Sequence, residues 1–396
     1  MKRDYQVALH LVEVFVGRTM NWLYDHLCCV PRYKQVIVTE KLKNRTEFPE
    51  MEAIALDQSR ILRRVWSRLA GRNNVYPWDL RRINGFRPVV LHSHFGNNAI
   101  AHLPVAERLD CPWFVSFYGA DVYEGEQDPK AKAHFAPVFA RARLVLALGP
   151  VMAEHLEQLG CPAEKIRIHP LGVGIGRLPS KERKLTPGEP LRILFAGTFR
   201  EKKGVEYLVQ AVGIARDAGV PLKLELVGDA QGKKGDQQTK QAILRLLREL
   251  GLESITTQHS YLQFSQLIQL ALESHLFIGP SVTAGSGDRE GTPFVLQQMM
   301  ATGMPAIATQ HSDIPYIFGP LSNLLVPERD AKAIAERIQF YYGDPQALTE
   351  DGLRLRERIA SFALKTTSAH LAELYDSVCQ AQLADAPLRL QAFPGT

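Results

Sequence analysis

Two short segments of this sequence combine residue types that can hold a charged, hydroxyl-rich ligand. The first is Pro280-Ser281-Val282-Thr283-Ala284-Gly285-Ser286-Gly287-Asp288-Arg289-Glu290-Gly291-Thr292-Pro293, which follows an apolar strand pattern and precedes a helical one. Thr292 can cap that helix and Pro293 suits its first turn, so open backbone N–H groups and the positive end of the helix dipole would lie beside the Glu290 carboxylate. A carboxylate there can accept hydrogen bonds from sugar hydroxyls while the amides hold phosphate; its plainer role is to stabilise the helix N-terminus. The second segment is Phe195-Ala196-Gly197-Thr198-Phe199-Arg200-Glu201-Lys202-Lys203-Gly204. Gly197 permits a tight turn after a strand, and a cation between Arg200 and Lys203 can neutralise a diphosphate. A lone basic turn is solvated surface in most proteins. Its place at the carboxyl end of a strand, the same edge as Glu290, argues for a ligand.

In the first half of the chain, Leu91-His92-Ser93-His94-Phe95-Gly96 ends one strand and Phe117-Tyr118-Gly119-Ala120-Asp121 ends the next, so His94 and Asp121 should border one crevice. His94 either contacts a sugar or fastens the loop after its strand.

The elements that must position these residues alternate from end to end as apolar β-type runs and helical-period runs, the pattern of parallel sheets flanked by helices. Strands are expected at Gln6–Val12, Gln35–Thr39, Pro88–Ser93, Trp113–Phe117, Leu144–Leu148 and Ile166–His169, then at Leu191–Ala196, Leu222–Val227, Leu276–Gly279, Pro305–Thr309 and Asn323–Val326. Between the two series, residues 177–190 are rich in proline and charge, without periodicity, and read as a linker. The expected architecture is therefore α/β, with a Rossmann-like domain over 1–176, a second over 191–364, and a C-terminal helix and tail, 365–396, returning to the first. Two such sheets leave a cleft lined by their carboxyl ends, where ligands of open α/β sheets bind. Gly172-Val173-Gly174-Ile175-Gly176 imitates a dinucleotide loop, but a charged, proline-containing stretch follows in place of a helix, so it reads as a hinge.

Composition sets the remaining bounds. The 396 residues are 45% hydrophobic and 22% charged, which excludes a disordered tail, a collagen-like rod and a disulfide-stapled miniature. No uncharged apolar run reaches the roughly 18 residues that a membrane-crossing helix needs. The 5 cysteines (Cys28, Cys29, Cys111, Cys161, Cys379) show no CxxC pairing and read as free thiols in a reducing compartment, so a cytoplasmic place is expected. Charge is concentrated: residues 1–90 hold 16 Lys/Arg against 9 Asp/Glu, although the whole chain carries only +5. Much of that excess lies in an amphipathic basic stretch at 58–70, either a surface helix packed on its own domain or a dock for the inner face of an anionic membrane. Nothing in the pattern calls for a nucleic-acid partner.

At its two ligand-binding segments the sequence resembles the retaining glycosyltransferases of family four, which have the two-Rossmann GT-B fold and transfer sugar from a nucleotide-activated donor. The resemblance spans roughly residues 85–330 and rests on Lys203-Gly204, Val227-Gly228-Asp229, Pro280-Ser281, Glu290-Gly291 and Ala301-Thr302-Gly303-Met304-Pro305, in the family's order. It implies that Lys203 neutralises the donor diphosphate with Arg200 as a second cation, that Glu290 binds hydroxyls of the transferred sugar, and that amides within the stretch Gly291-Thr292-Pro293-Phe294 support it. Two positions depart from the pattern. Thr198 stands where an arginine is usual, and Gln298 stands where a second glutamate grips the ribose; an amide there loses the charge-assisted pair, about 1–3 kcal/mol if uncompensated. Tyr118 holds the place where many relatives have a histidine beside the anomeric carbon. The loop after the first strand, which includes Gly17, lacks the usual double glycine.

What the resemblance implies chemically is front-face substitution with retention, in which the departing diphosphate oxygen takes the acceptor proton, without a carboxylate dyad, cofactor or metal. Consistently, no His/Cys/Asp cluster stands at ligand spacing along the sequence. The implied substrates are a nucleotide-sugar and a saccharide or lipid-linked acceptor, in the making of surface polysaccharide, lipopolysaccharide or glycolipid. Gln298 and Thr198 also motivate a second reading, a degenerate member that binds a glycan or supports a partner enzyme. A sugar-nucleotide epimerase is a third, less well matched by the Glu290 segment.

Overall fold

The computed structural model describes residues 5–17, 20–44, 48, 51–55, 77–126, 130–232 and 234–384. The chain divides into two compact units, one formed by Met1–Gly172 with Leu364–Thr396 and the other by Val173–Ala363.

The first unit is built on seven parallel strands: β1 (Gln6–Phe15), β2 (Tyr33–Leu42), β3 (Glu52–Ala55), β4 (Pro88–His94), β5 (Trp113–Ser116), β6 (Leu144–Ala147) and β7 (Ile166–Ile168), in the order β3-β2-β1-β4-β5-β6-β7. β5 (WFVS) and β6 (LVLA) are buried at every position, as a parallel sheet covered on both faces requires. Side chains alternate between two cores. Leu9, Leu91, Trp113 and Val115 meet Phe135, Val138, Phe139 and Leu156 from the helices Ala131–Arg141 and Pro150–Gln158. The intervening residues Ala8, Val90, Phe114 and Leu144 point the other way, onto Leu371, Leu374, Tyr375 and Val378 of the last helix, Leu364–Ala384. Each such apolar side chain contributes about 1.5–3 kcal/mol on burial, so the C-terminal helix is an integral layer of this unit. Its Asp376 accepts hydrogen bonds from the Tyr33 hydroxyl and the Arg32 guanidinium, both at 2.6 Å.

The second unit carries five parallel strands, β8 (Leu191–Ala196), β9 (Leu222–Val227), β10 (Thr256–His259), β11 (Leu276–Gly279) and β12 (Ala306–Ala308), in the order β10-β9-β8-β11-β12. In both sheets the strand order reverses once, at β1/β4 and at β8/β11. The loops leaving the carboxyl ends of those neighbouring strands diverge there and open a crevice.

Several local expectations are corrected. β1 runs on to Phe15, since Val14 and Phe15 continue its pairing with β2. The short edge strands β3 and β10 escaped the pattern because EAIA and TTQH lack the long apolar run of an interior strand. Residues 323–326 do not form a strand. A 3-10 turn occupies Gly319–Leu324, closed by the Ser322 hydroxyl donating to the Gly319 carbonyl at 2.6 Å, and Val326 makes a single bridge to Thr309. The segment 177–190 is laid onto the second unit: Arg183, 1% exposed, donates to the carbonyls of Ser274 (2.9 Å) and Ala271 (3.0 Å) and to the Thr302 hydroxyl (3.0 Å). A guanidinium fork that saturates several carbonyls can be buried, which a reading by charge alone misses. The chain crosses between units at Gly172/Val173, inside the glycine-rich stretch read as a hinge. The basic stretch 58–70 lies outside the described residues. No described helix is long and apolar enough to cross a membrane, and all five cysteines are free thiols.

Candidate active site

After β8 the chain passes Gly197 into a 3-10 turn, Glu201–Lys203, and leaves it through Gly204 at φ +63°. A β-carbon on Gly204 would stand 1.8 Å from the Pro280 carbonyl oxygen, so only glycine lets this turn press against the loop that leaves β11. That contact assembles the charged residues. Lys203 Nζ lies 2.9 Å from Glu290 Oε2. Lys202 Nζ lies 3.4 Å from Glu290 Oε1 and 3.0 Å from Asp288 Oδ1, and also donates to the Arg289 carbonyl. Arg200 reaches Asp288 Oδ2 at 2.8 Å and Asp236 at 3.8 Å. Burial would push the Glu290 carboxyl up, but Lys203 and Lys202 outweigh it and hold the group down at about 2, hence anionic.

The helix after this loop, Phe294–Ala301, begins one residue later than expected. Pro293 is its cap, at ψ 112°, and no side chain caps it. Thr292 is therefore one residue too early to cap, and its buried hydroxyl has no hydrogen-bond partner among the described residues. The amides of Phe294, Val295 and Leu296 open the helix without intrahelical acceptors. Lys203, Ser281, Pro293, Val295 and Leu296 line one small apolar cavity, which sets the lysine stem beside the helix entrance within this unit. Gly291 is buried, and Gln298 lies one turn into the helix, 8% exposed.

The loop is also fastened from residues that sequence reasoning missed. His311, fully buried after β12, accepts the Glu290 backbone N–H on Nε2 at 3.0 Å. An amide can only donate, so the ring proton sits on Nδ1, which donates to Glu328 Oε1 at 2.6 Å; Glu328 Oε2 accepts the Thr283 amide at 2.8 Å. Glu201 accepts the Gly285 amide at 2.9 Å.

In the first unit, His94 is 2% exposed; its Nδ1 lies 2.7 Å from the Tyr118 hydroxyl and its Nε2 2.9 Å from His10 Nδ1. Asp121 is spent on the backbone, accepting the amides of Gly96 (2.8 Å), Tyr118 (3.0 Å) and Gly119 (2.8 Å), so it builds the two loops. Burial pushes its carboxyl up against the pull of those amides. Gly17 lies in the neighbouring loop after β1, where its carbonyl accepts the Met20 amide at 2.8 Å. The structure also forms a three-histidine group that linear spacing concealed: His10, His92 and His94 each bring a nitrogen within 4.8 Å of the others. His10 comes from β1 and the others from β4, its neighbour only in space. Every ring nitrogen of the three is already hydrogen-bonded, His92 to the Tyr375 hydroxyl (2.5 Å) and the Ser116 hydroxyl (2.7 Å). The rings of His94 stack at 25° on His92 and 23° on His10, which keeps their lone pairs in near-parallel planes rather than converging on one ion.

Two doubly wound parallel sheets, one with a lysine–carboxylate pair beside an open helix entrance, define a protein of the GT-B class. Residues 177–365 match the family of glycosyl transferases group 1, and residues 28–172 match the glycosyl transferase 4-like domain. The chain belongs to the group 1 glycosyltransferases. It is 28% identical over 298 residues to the Escherichia coli K12 glycosyltransferase WcaL, named for colanic acid biosynthesis, covering 74% of this chain and 71% of that one. It is 30% identical over 220 residues to the amylovoran biosynthesis glycosyltransferase AmsK of Erwinia amylovora; the match covers 55% of this chain and about half, 52%, of that protein. Among solved structures it is similar to Anabaena HepE in complex with UDP, at a TM-score of 0.75 and 15% identity over 94% of this chain and 100% of that one.

Proposed function

We propose that this chain is a retaining, metal-independent glycosyltransferase that moves a sugar from a nucleoside-diphosphate donor to a saccharide or lipid-linked acceptor during cell-surface polysaccharide, lipopolysaccharide or glycolipid synthesis. The observation that carries the donor assignment is the Lys203–Glu290 contact of 2.9 Å at the carboxyl ends of β8 and β11, in the loops that lead to the helix Phe294–Ala301. The names of WcaL and AmsK support the polysaccharide context, and the UDP held by HepE supports the donor class.

In the chemistry assigned here, the donor diphosphate takes Lys203 and the amides of Phe294–Leu296, and Glu290, released from Lys203, accepts hydrogen bonds from the sugar. The bond from the anomeric carbon to the diphosphate oxygen breaks as the bond to the acceptor oxygen forms on the same face, and the acceptor proton passes to the departing phosphate. The protein supplies positioning and charge stabilisation. Arg200 and Lys202 act through Asp288 as tethers of the loop, leaving Lys203 as the direct cation. The acceptor falls to the first unit, and the basic stretch 58–70 to an anionic membrane on the cytoplasmic side. Vesicle flotation that is unchanged when Arg60, Arg63, Arg64 and Arg68 become Glu removes that last element.

The test is a nucleotide-sugar panel with the purified full chain, reading release of nucleoside diphosphate and the anomeric configuration of the product. Release that persists in EDTA, yields a retained anomer and is lost in Lys203→Ala and Glu290→Ala supports the assignment. No turnover with any donor and acceptor extract, or equal turnover in both variants, refutes it.

A further inference from the structure

Four side chains of the first unit form a single hydrogen-bonded file across three adjacent strands: Gln35 on β2, His10 on β1, His94 on β4, and Tyr118 just past β5. The distances are 2.6 Å from Gln35 Oε1 to His10 Nε2, 2.9 Å from His10 Nδ1 to His94 Nε2, and 2.7 Å from His94 Nδ1 to the Tyr118 hydroxyl. One end of the file is fixed by chemistry. The Gln35 amide nitrogen donates to the Tyr33 carbonyl at 3.0 Å, and a carbonyl can only accept, so Oε1 is the group facing His10. His10 must then donate from Nε2. A neutral imidazole that donates from one nitrogen accepts on the other, so His10 Nδ1 receives the Nε2 proton of His94, and His94 Nδ1 receives the proton of Tyr118. Both imidazoles are neutral: burial lowers His10 to about 4 and holds His94 well below its ordinary value, while burial pushes the Tyr118 hydroxyl up and keeps it protonated.

The consequence sits at the Tyr118 end of the file, the one member past the strand ends. The Tyr118 proton is committed to His94, so toward any ligand its oxygen offers only a lone pair. Trp22 and Phe95 flank the Tyr118 ring at 4.7 and 4.8 Å, and all three rings are partly exposed. Phe95 is held at φ +72°, a left-handed conformation that costs a non-glycine residue about 1–3 kcal/mol and is retained where the surroundings demand it. Apolar ring faces around one obligate hydrogen-bond acceptor match a pyranose, which has apolar C–H faces and a rim of hydroxyl donors.

We propose that Trp22, Phe95 and Tyr118 form a saccharide subsite in which Tyr118 accepts a hydrogen bond from a sugar hydroxyl, with Gln35 and His10 as positioning residues that fix this polarity through His94. The subsite rests on the reading that the first unit receives the acceptor. The titratable groups around the file are His92, stacked on His94 and tilted against His10, then His26, His102 and His169, the Tyr375 hydroxyl on the last helix, and the Asp121 carboxylate that holds the Tyr118 amide.

The experiment is imidazole nitrogen NMR on the labelled full chain at neutral pH, with methyl glycosides of glucose, galactose, mannose and fucose as probes. The expected result is an Nε2–H tautomer for both His10 and His94, together with glycoside-dependent shifts at the Trp22 indole that fall at least tenfold in affinity in Tyr118→Phe. Gln35→Glu sharpens the test. A carboxylate there keeps His10 protonated, reverses the file and makes Tyr118 a donor, so glycoside affinity falls at neutral pH and recovers as pH rises. Gln35→Met, which adds no charge, shows no such pH dependence. An Nδ1–H tautomer at either histidine overturns the polarity, and silence of Trp22 toward all four glycosides overturns the saccharide assignment. UDP affinity, read in the same samples, reports the second unit separately, so failure of the subsite and failure of the donor site are distinguishable.

Discussion

The two units place their candidate residues at the same topological point, the carboxyl ends of β1 and β4 in one and of β8 and β11 in the other, and fill it with opposite chemistry. In the second unit the crevice is ionic: Arg200, Lys202 and Lys203 interleave with Asp236, Asp288 and Glu290. In the first the side-chain file is neutral, made of imidazoles, a phenol and an amide, and the Asp121 carboxylate beside it is spent on backbone amides. A parallel sheet dictates where a ligand can lie and leaves open what it is. Cations that hold carboxylates only until a stronger anion arrives suit a diphosphate. An uncharged file with a fixed direction suits hydroxyl groups, whose orientation matters more than their charge.

Acid should separate the two units most strongly. His10, His26, His102 and His370 are each lowered by burial to about 4. The unfolded chain takes up their protons first, so the stability they contribute is complete above about pH 6.5 and is lost progressively as pH falls toward 4. Glu290, held at about 2, contributes above its ordinary 4.5 and loses that only between 4.5 and 2. The 4 tryptophans (Trp22, Trp66, Trp78, Trp113) all precede residue 172 in the sequence, and none belongs to the segment Val173–Ala363 that forms the second unit. Their fluorescence is expected to change between pH 6.5 and 4 while UDP still binds; loss of UDP binding ahead of the fluorescence change would break the contrast.

Next in size is Lys203→Ala, expected to lower transfer by about 100- to 1,000-fold, the usual effect of removing one charge-stabilising donor. A loss under tenfold in steady-state kinetics would shift the cationic role elsewhere. Asp121→Ala should instead cost stability, about 3 kcal/mol for the orphaned amides, with donor affinity unchanged. Urea unfolding followed by tryptophan fluorescence measures it, and an unchanged midpoint contradicts the structural role given to this carboxylate. The smallest effect is expected of His311→Ala, about tenfold in transfer through a loosened Glu290, with Glu328→Gln milder still because it can accept the same Nδ1 proton. A Glu328→Gln enzyme weaker than His311→Ala would show that the pair acts by charge and not by position.

What the sequence disclosed followed from locality. Interior strands such as Leu191–Ala196 were legible because burial on both faces demands unbroken apolar runs, whereas the edge strands Glu52–Ala55 and Thr256–His259 carry no such demand. Lys203 and Glu290 were legible because each lies in a glycine-marked loop whose composition already suggests a ligand. His10 and Gln35 were not. They sit in ordinary strand patterns and acquire meaning only when the order β2-β1-β4 lays them beside His94. His311 and Glu328 were missed for the same reason, since their target is the backbone of a loop contributed by another strand. Thr292 was misassigned because Pro293 itself caps the helix, a difference of one residue that composition does not reveal.

The claim on which the rest depends is that the β8/β11 crevice, with Lys203 at its centre, holds the donor diphosphate. Calorimetric titration of UDP and other nucleoside diphosphates into the full chain, into Lys203→Ala and into Tyr118→Phe addresses it directly. The account predicts saturable binding to the unaltered chain, at least tenfold weaker in Lys203→Ala and unchanged in Tyr118→Phe; equal affinity in the lysine variant, or loss in the tyrosine variant alone, would contradict it.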